Sequence, residues 1–459
     1  MLFVGVFAAW LAVAGSSRAA DENGVSYYQD IVPILKQSCT ECHNPNKAKG
    51  KLDLTTYEGF LKGGKSGAGF VAGDPDRSRV FEEISGDQPA MPEDGDALTA
   101  GEVELMARWI REGAGDDTPA ELANRFQLKE PPHYTVPPVI SAMAWSPDGE
   151  LLAVPGYHEV ILLRGDNAER VARLVGESPR IESLAFSRDG SLLAVSGGAP
   201  AVFGEVQIWN VAQRRLVNAF KVSGDSLYGV SFPPDGKSVA FGGADHSVRV
   251  LSVEDGRELM KFDNHSDWVF GTAWTVDGSR LLSGSRDQAM KLIGVENGQF
   301  IDDVNKLLEP VLCMARHPTA DQVLYGGELG TPRLYRISDN QGRTAANNDV
   351  NLLRAFERQP GPVCAVAFAP DGQTVAVGNT QGEARLYRAD NGERKATLGG
   401  HDGAVFALAF HPRETWIASG GFDGKVRLFD TGTGELLKEF VPVPIGPSEA
   451  STNVAGVHR

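Results

Sequence analysis

A short turn that recurs through residues 139–441 constrains the fold more than any other feature of the sequence. In five of its seven copies an Asp-Gly pair begins three residues after an aromatic side chain, and successive copies lie 41–52 residues apart. A period of about 40–45 residues with four short strands in each unit is typical of β-propeller blades. The copies begin at Trp145, Phe186, Phe232, Trp274, Arg316, Phe368 and Phe410, and they predict seven blades.

Runs of alternating apolar residues flank these turns, as expected of strands with one buried face. Ile181–Phe186 precedes one turn and Leu192–Ser196 follows it. The last unit contains four such runs: Val405–Phe410, Trp416–Ser419, Val426–Phe429 and Leu436–Phe440. The longest interval contains the polar insertion Asp339–Asp349, which we expect to form a surface loop.

The repeated unit resembles the WD repeat over about 300 residues. The Gly-His pair of that family stands as Gly400-His401, and His265 holds the equivalent position in an earlier blade. The aspartate of the turn between the second and third strands is present as Asp245, Asp287 and Asp423, whereas the tryptophan of the third strand is present only as Trp209; elsewhere it is replaced by Leu251, Ile293 and Phe429. The resemblance implies an all-β propeller that binds proteins, with an incomplete His–Ser–Asp–Trp hydrogen-bond set in most blades.

The sequence Cys39-Thr40-Glu41-Cys42-His43 carries the clearest chemical signal. C-x-x-C-H is the pattern of covalent attachment of c-type haem: two thiols bond the porphyrin and the next histidine binds the iron. A redox-active C-x-x-C pair would accompany a βαβ pattern, which is absent, and a zinc site would need a fourth ligand. A structural disulfide across so short a loop would be strained. We therefore predict one covalent haem c on Cys39 and Cys42, with His43 as the proximal iron ligand.

Two methionines compete for the opposite side of the iron, since residues 21–114 hold no other histidine or methionine outside the motif. Met106 lies on the apolar face of a helix that begins with the capping box Thr99-x-x-Glu102, which indicates a core residue. Met91 precedes Pro92 in a polar loop, where its thioether can reach a metal. We predict Met91 as the distal ligand, with Met106 or an open site as alternatives.

Residues 21–114 are similar to small class I cytochromes c, and more closely to the cytochrome c domain of planctomycete-type secreted proteins. The matching elements are Cys39–His43, Gly63-Gly64 to Gly69, Ala72–Pro75, Ser78, Met91-Pro92 and Trp109–Ala114. The resemblance implies a small all-α domain that carries a single haem. His/Met ligation raises the reduction potential of the iron and leaves no vacant position for oxygen chemistry.

The flanking segments predict export. Residues 1–19 contain an apolar run and small residues at a cleavage position, the pattern of a signal peptide; a short membrane anchor is the alternative. We expect the protein in the periplasm or cell envelope of a bacterium, with no transmembrane segment after signal removal. Residues 115–138 are predicted to be a proline-rich linker, and residues 442–459 a C-terminal tail.

Charge bears on the partners. The chain has 44 basic and 60 acidic residues, a net charge of −16, which disfavours nucleic acid as a ligand. Four lysines nevertheless surround the attachment motif, and we expect them to dock an acidic redox protein: Lys36, Lys47, Lys49 and Lys51.

Cys313 and Cys364 lie in the first strands of adjacent blades, at non-equivalent positions, and we expect two buried free thiols rather than a disulfide.

Three functions remain at this point. The first is a non-catalytic electron carrier whose propeller is a protein-interaction scaffold. The second is a propeller oxidoreductase with a second cofactor in its channel, for which His158 and His246 are the histidines without an assigned role. The third is a haem-based sensor, in which loss of a ligand changes the partner of the propeller.

Overall fold

The computed structural model describes residues 24–44, 49–93, 95–119, 130–165, 168–306, 308–338 and 349–446. The predicted signal peptide, Lys47, most of the predicted insertion and the tail beyond residue 446 lie outside the described residues. The chain divides into two compact units, which are treated separately below. Within the described ranges, no helix is long and apolar enough to cross a membrane.

The first unit is helical. Its four α-helices are α1 (Val32–Ser38), α2 (Tyr57–Lys62), α3 (Arg79–Ile84) and α4 (Ala100–Arg111). A π-helical turn, Tyr27–Ile31, precedes α1. The hydroxyl of Ser26 caps this segment by accepting a hydrogen bond from the Gln29 amide. The predicted capping box at Thr99 and Glu102 is present at the start of α4.

Trp109 of α4 forms the centre of this unit's core. Its ring stacks on Tyr27 with centroids 5.4 Å apart and meets Phe70 edge to face at 5.0 Å. Its indole nitrogen donates to the Gly115 carbonyl at 3.0 Å, which satisfies the polar edge of a side chain that is 1% exposed. These contacts join the first and last helices of the unit around one aromatic cluster.

The second unit is a propeller of seven four-stranded blades, which confirms the predicted number and fold class. Each blade is built from four consecutive strands, paired antiparallel with their sequence neighbours. In chain order the blades are β1 Ala144–Trp145, β2 Leu151–Pro155, β3 Glu159–Arg164, β4 Arg170–Val175; β5 Arg180–Phe186, β6 Leu192–Ala199, β7 Phe203–Asn210, β8 Arg215–Ser223; β9 Leu227–Ser231, β10 Ser238–Gly243, β11 Val248–Ser252, β12 Glu258–Phe262; β13 Val269–Trp274, β14 Arg280–Ser285, β15 Met290–Gly294, β16 Gln299–Asp303; β17 Val311–Arg316, β18 Gln322–Gly327, β19 Arg333–Arg336, β20 Leu352–Ala355; β21 Val363–Phe368, β22 Thr374–Asn379, β23 Ala384–Arg388, β24 Arg394–Leu398; β25 Val405–Phe410, β26 Trp416–Gly421, β27 Val426–Asp430, β28 Leu436–Phe440.

The recurrent turn has the same local chemistry in several blades. In blade 1 the Ser146 hydroxyl donates to the Asp148 carboxylate at 2.5 Å, and Gly149 takes a positive φ of 73°. A glycine adopts this conformation without the steric penalty of a side chain. The turn therefore joins the first two strands of a blade by contacts that need no other part of the chain.

The two ends of the propeller segment meet each other. Tyr134 forms a parallel bridge with Ile445, and the Gly446 amide donates to the Tyr134 carbonyl at 2.9 Å. The Tyr134 hydroxyl donates to the buried carboxylate of Glu159 at 2.7 Å, and Arg173 pairs with the same carboxylate. Residues just before β1 and just after β28 thus hold the first blade beside the last.

Candidate functional site: an apolar cleft in the helical unit

The attachment motif forms a tight turn at the end of α1. The helix ends at Ser38, and Cys39 accepts backbone hydrogen bonds from Cys42 at 3.2 Å and from His43 at 3.0 Å. Cys39 is half-buried against the helical core, and burial raises the pKa of its thiol to about 11. The turn therefore directs Cys39 inward and brings His43 close behind it.

His43 has one ring nitrogen in use and one available. Nδ1 lies 2.9 Å from the carbonyl oxygen of Lys49, which can only accept, so the proton is assigned to Nδ1. The Leu54 amide donates to the His43 carbonyl at 2.9 Å and holds the backbone on the other side. Nε2 keeps its lone pair, the state in which a histidine binds a metal, and the Lys49 carbonyl fixes the tautomer.

Cys39, His43 and Met91 line the same cleft, whose cavity volume is about 160 Å³. The walls between them are mainly apolar and include Leu52, Leu54, Phe60, Val80 and Ile84. A thiol, an imidazole nitrogen and a thioether around an apolar cleft suit a flat apolar group with a central metal. The donor set thus fits haem c.

At two glycines in the wall of this cleft, the neighbouring residues pack so closely that there is no room for a side chain. A Cβ at Gly69 would lie 2.6 Å from the Phe60 ring, and one at Gly64 would lie 2.5 Å from the Gly50 carbonyl oxygen. Both glycines line the cleft. Side chains at these positions would displace the wall, so the shape of the cleft depends on close packing of the loop around residues 63–69.

The two methionines have different surroundings. Met91 is half-buried, lines the cleft, and is held by its amide, which donates to the Glu83 carbonyl at 2.9 Å. Met106 is 1% exposed, packs in the core around Trp109, and is not among the residues that line the cleft. Cys42 is half-buried but is not among the residues that line the cleft.

Charged side chains that the sequence did not single out flank the cleft. Arg79 and Glu83 line it and pair with each other at 2.5 Å, and Lys65 lines it as well. Of the predicted lysines, Lys49 lines the cleft and pairs with Glu93 at 3.3 Å. No motif marks Arg79, because its place at the cleft depends on how α3 packs.

Lys36 and Lys51, two more of the predicted lysines, are exposed. Lys47 lies outside the described residues. The lysine group is therefore only partly described.

The propeller has a second cavity, a central channel of about 600 Å³ lined by the innermost strands. Arg180 and Glu182 face it as an ion pair at 3.2 Å, and burial raises the pKa of Glu182. His158 and His246 do not line the channel; each lies in a turn with positive φ. Among the described residues, no three His, Cys, Asp or Glu side chains are grouped as metal ligands would be.

Comparison with known proteins agrees with this division. Residues 39–95 match the family of planctomycete cytochrome C. Four segments match the WD domain, G-beta repeat, and residues 143–232 match the anaphase-promoting complex subunit 4 WD40 domain; the four segments are residues 214–252, 256–293, 351–388 and 392–430. No curated protein matches the chain.

The chain therefore joins a segment similar to planctomycete cytochrome c to a seven-bladed WD-repeat propeller. The first part suggests haem c as the cofactor, and the second suggests protein partners.

Proposed function

We propose that this protein is an exported, single-haem c-type cytochrome that transfers single electrons, with its propeller as a scaffold for protein partners. One observation carries the proposal: Cys39, His43 and Met91 line one apolar cleft at the match to planctomycete cytochrome C. Export to the periplasm or cell envelope follows from the signal-peptide pattern of residues 1–19.

Each side chain has a defined role in this proposal. Cys39 and Cys42 would hold the haem through thioether bonds, and His43 Nε2 and Met91 Sδ would bind its iron. Cys42 would need to turn toward the cleft, since only Cys39 lines it. Once bound, the haem supplies reversible one-electron transfer, and the apolar walls keep water away from it.

The charges near the cleft support docking of an acidic redox protein. Lys36, Lys49 and Lys51 lie within 12 residues of Cys39 or His43 in sequence, and all three are exposed. Opposite charges on two partners increase the rate at which they meet, and added salt reduces this effect. The partner of the propeller is a separate question, because WD-type propellers bind proteins of many kinds.

The test is haem stoichiometry with visible spectra, recorded oxidised and reduced, with and without carbon monoxide. The full chain is produced in an export-competent host with haem c maturation. We expect one covalent, low-spin haem whose reduced spectrum does not change with carbon monoxide. Binding of carbon monoxide would contradict Met91 ligation and favour the sensor, and a second haem would favour the propeller oxidoreductase.

A further inference from the structure

Two cysteines meet in the wall of the propeller channel. Cys313 lies on β17 of blade 5 and Cys364 on β21 of blade 6, and both line the channel as free thiols. Cys313 Sγ lies 3.5 Å from the Val363 carbonyl oxygen. Because Val363 is bonded directly to Cys364, the first thiol lies against the backbone that carries the second.

The structure agrees with the prediction of two free thiols at non-equivalent positions, and it adds a bulge beside each of them. The pairing of β21 with β22 shifts between Val363 and Ala365, so Cys364 is the extra, unpaired residue. The pairing of β17 with β18 shifts in the same way between Val311 and Cys313. A bulge breaks strict alternation and re-aims the side chains around it, here toward the channel.

Cys364 stands where other blades have a large side chain. The bulge positions of blades 4, 5 and 7 hold Phe270, Leu312 and Phe406, all of which line the channel. A cysteine there leaves space beside it that a phenylalanine or leucine would fill. The position of Cys313 is occupied by alanine in blades 6 and 7, so neither thiol is needed to fill the core.

We propose that Cys313 and Cys364 close to a reversible disulfide that links blade 5 to blade 6 across the channel wall. The oxidant is the disulfide of a thiol-disulfide exchange protein or a small-molecule disulfide. One cysteine thiolate attacks the donor disulfide and releases one donor thiol, and the second cysteine then attacks the mixed disulfide and releases the other. The two cysteines lose two electrons and two protons, and the donor disulfide is reduced to two thiols.

The surroundings indicate which cysteine reacts first. Burial raises the pKa of Cys364 to about 11. Burial raises the pKa of Cys313 further, and the nearby Cys364 adds to the effect. Because the thiolate is the nucleophile, Cys364 attacks the donor and Cys313 resolves the mixed disulfide. Both thiolates are scarce at neutral pH, so we expect slow closure that accelerates as pH rises.

The proposal goes beyond electron transfer and needs only that thioether bonds keep Cys39 and Cys42 from competing. The chain has four cysteines, so a haem-loaded protein retains two thiols, Cys313 and Cys364. The test treats exported, haem-loaded full chain with oxidised glutathione and then labels free thiols with N-ethylmaleimide in denaturant. We expect no label before reduction, two labels after it, and a linked Cys313–Cys364 peptide in the digest.

Two variants sharpen this test. Cys364→Ala should take one label with or without reduction, whereas Cys313→Ala should stop at the Cys364–glutathione mixed disulfide and take its one label only after reduction. Neither variant should form the link between the blades, so neither should show the fall in melting temperature that reduction causes in the unmodified protein. Two labels on the unmodified protein after glutathione treatment would overturn the proposal. Peptide mapping detects the Cys313–Cys364 link even in a preparation that lacks haem. The intact mass of the protein shows separately whether haem is attached, so failure of the haem proposal and failure of the disulfide proposal can be told apart.

Discussion

Nδ1 of His401 accepts a hydrogen bond from the guanidinium of Arg427 at 2.9 Å. A guanidinium only donates, so the proton of His401 is assigned to Nε2, which donates to the Ser419 hydroxyl at 2.9 Å. In blade 4, Nδ1 of the equivalent His265 instead lies 2.8 Å from the carboxylate of Asp287. One position of the repeat therefore has opposite hydrogen-bonding roles in two blades.

In two blades that lack the tryptophan of the third strand, a buried arginine of that strand binds the turn aspartate. In blade 7, Arg427 pairs with Asp423 at 2.7 Å, and both side chains are at most 7% exposed. In blade 3, Arg249 pairs with Asp245 at 2.8 Å in the same arrangement. The turn aspartate that the resemblance assigned to a histidine is thus bound by an arginine of the third strand, and the hydrogen-bond set is replaced rather than lost.

Replacing Arg427 should therefore destabilise the propeller strongly. Arg427→Met would leave the buried carboxylate of Asp423 without its arginine, and breaking such a buried pair costs about 3–5 kcal/mol. The matched control is Lys425→Met, because Lys425 pairs with Glu439 near the surface, where a pair is worth about 0–1 kcal/mol. Urea unfolding of both full-length variants measures the difference; equal losses would contradict the assigned role of Arg427.

The stability of the propeller should also fall in mildly acidic solution because of His401. Burial, and then the Arg427 charge, lower the pKa of His401 from 6.5 to about 4 in the folded protein. The unfolded chain binds the proton at higher pH, so stability falls as pH drops from about 6.5 to about 4, by at most about 3 kcal/mol.

His401→Gln keeps an acceptor for Arg427 and a donor for Ser419 but does not titrate. We expect the pH-dependent slope of stability between pH 6.5 and 4 to be smaller in this variant, with the rest contributed by His158 and His317, whose pKa values burial also lowers. Asp287 titrates separately: its pKa is lowered to about 2, despite its burial, by its hydrogen bond to His265, so its contribution is lost only below about 3.8. Unfolding free energies across this range check the prediction, and an unchanged slope would exclude His401 as its source.

In the helical unit, Met91→Ala should lower the reduction potential and open the iron to carbon monoxide. The reason is the loss of the only thioether that lines the cleft among the described residues. Met106→Leu is the control, because Met106 is a core residue and a swap that conserves volume costs less than about 1.5 kcal/mol. Spectra with carbon monoxide and a redox titration separate the two variants; an unchanged Met91→Ala spectrum would remove Met91 from the site.

Electron transfer with an acidic partner should slow as salt is added. Lys36→Glu combined with Lys51→Glu should reduce the second-order rate by roughly tenfold at low ionic strength, the lower end of electrostatic steering effects. Lys237→Glu is the control, since this exposed lysine lies on the propeller. Stopped-flow reduction by an acidic flavoprotein measures the rates. Rates that do not depend on salt would show that these lysines are ordinary surface residues.

The elements that the sequence predicted well depend on local chemistry. The Ser-x-Asp-Gly turn forms from contacts within five residues, so its recurrence was enough to predict seven blades. The cysteine motif is equally local, since Cys39 accepts from the amides of Cys42 and His43 within one turn. Both motifs can be recognised from the sequence because they do not depend on contacts with distant parts of the chain.

The elements that sequence reasoning missed depend on distant contacts. The alternation of apolar and polar residues along β27 predicts that Arg427 faces solvent. Its side chain is instead 1% exposed, because Asp423 and His401 enclose it. The bulges of β17 and β21 leave no compositional mark, so the sequence did not predict that Cys313 and Cys364 both line the channel. Arg79 reaches the cleft only through the packing of α3.

The pairing of Tyr134 with Ile445 has a consequence for how the propeller is made. Each blade is one continuous stretch of chain, so blades can form one after another as the polypeptide emerges. The bridge itself joins residues more than 300 positions apart, and closing so long a loop is entropically costly before neighbouring contacts compensate for it. The ring therefore closes last, and until then the apolar flanks of the first and seventh blades remain exposed to aggregation.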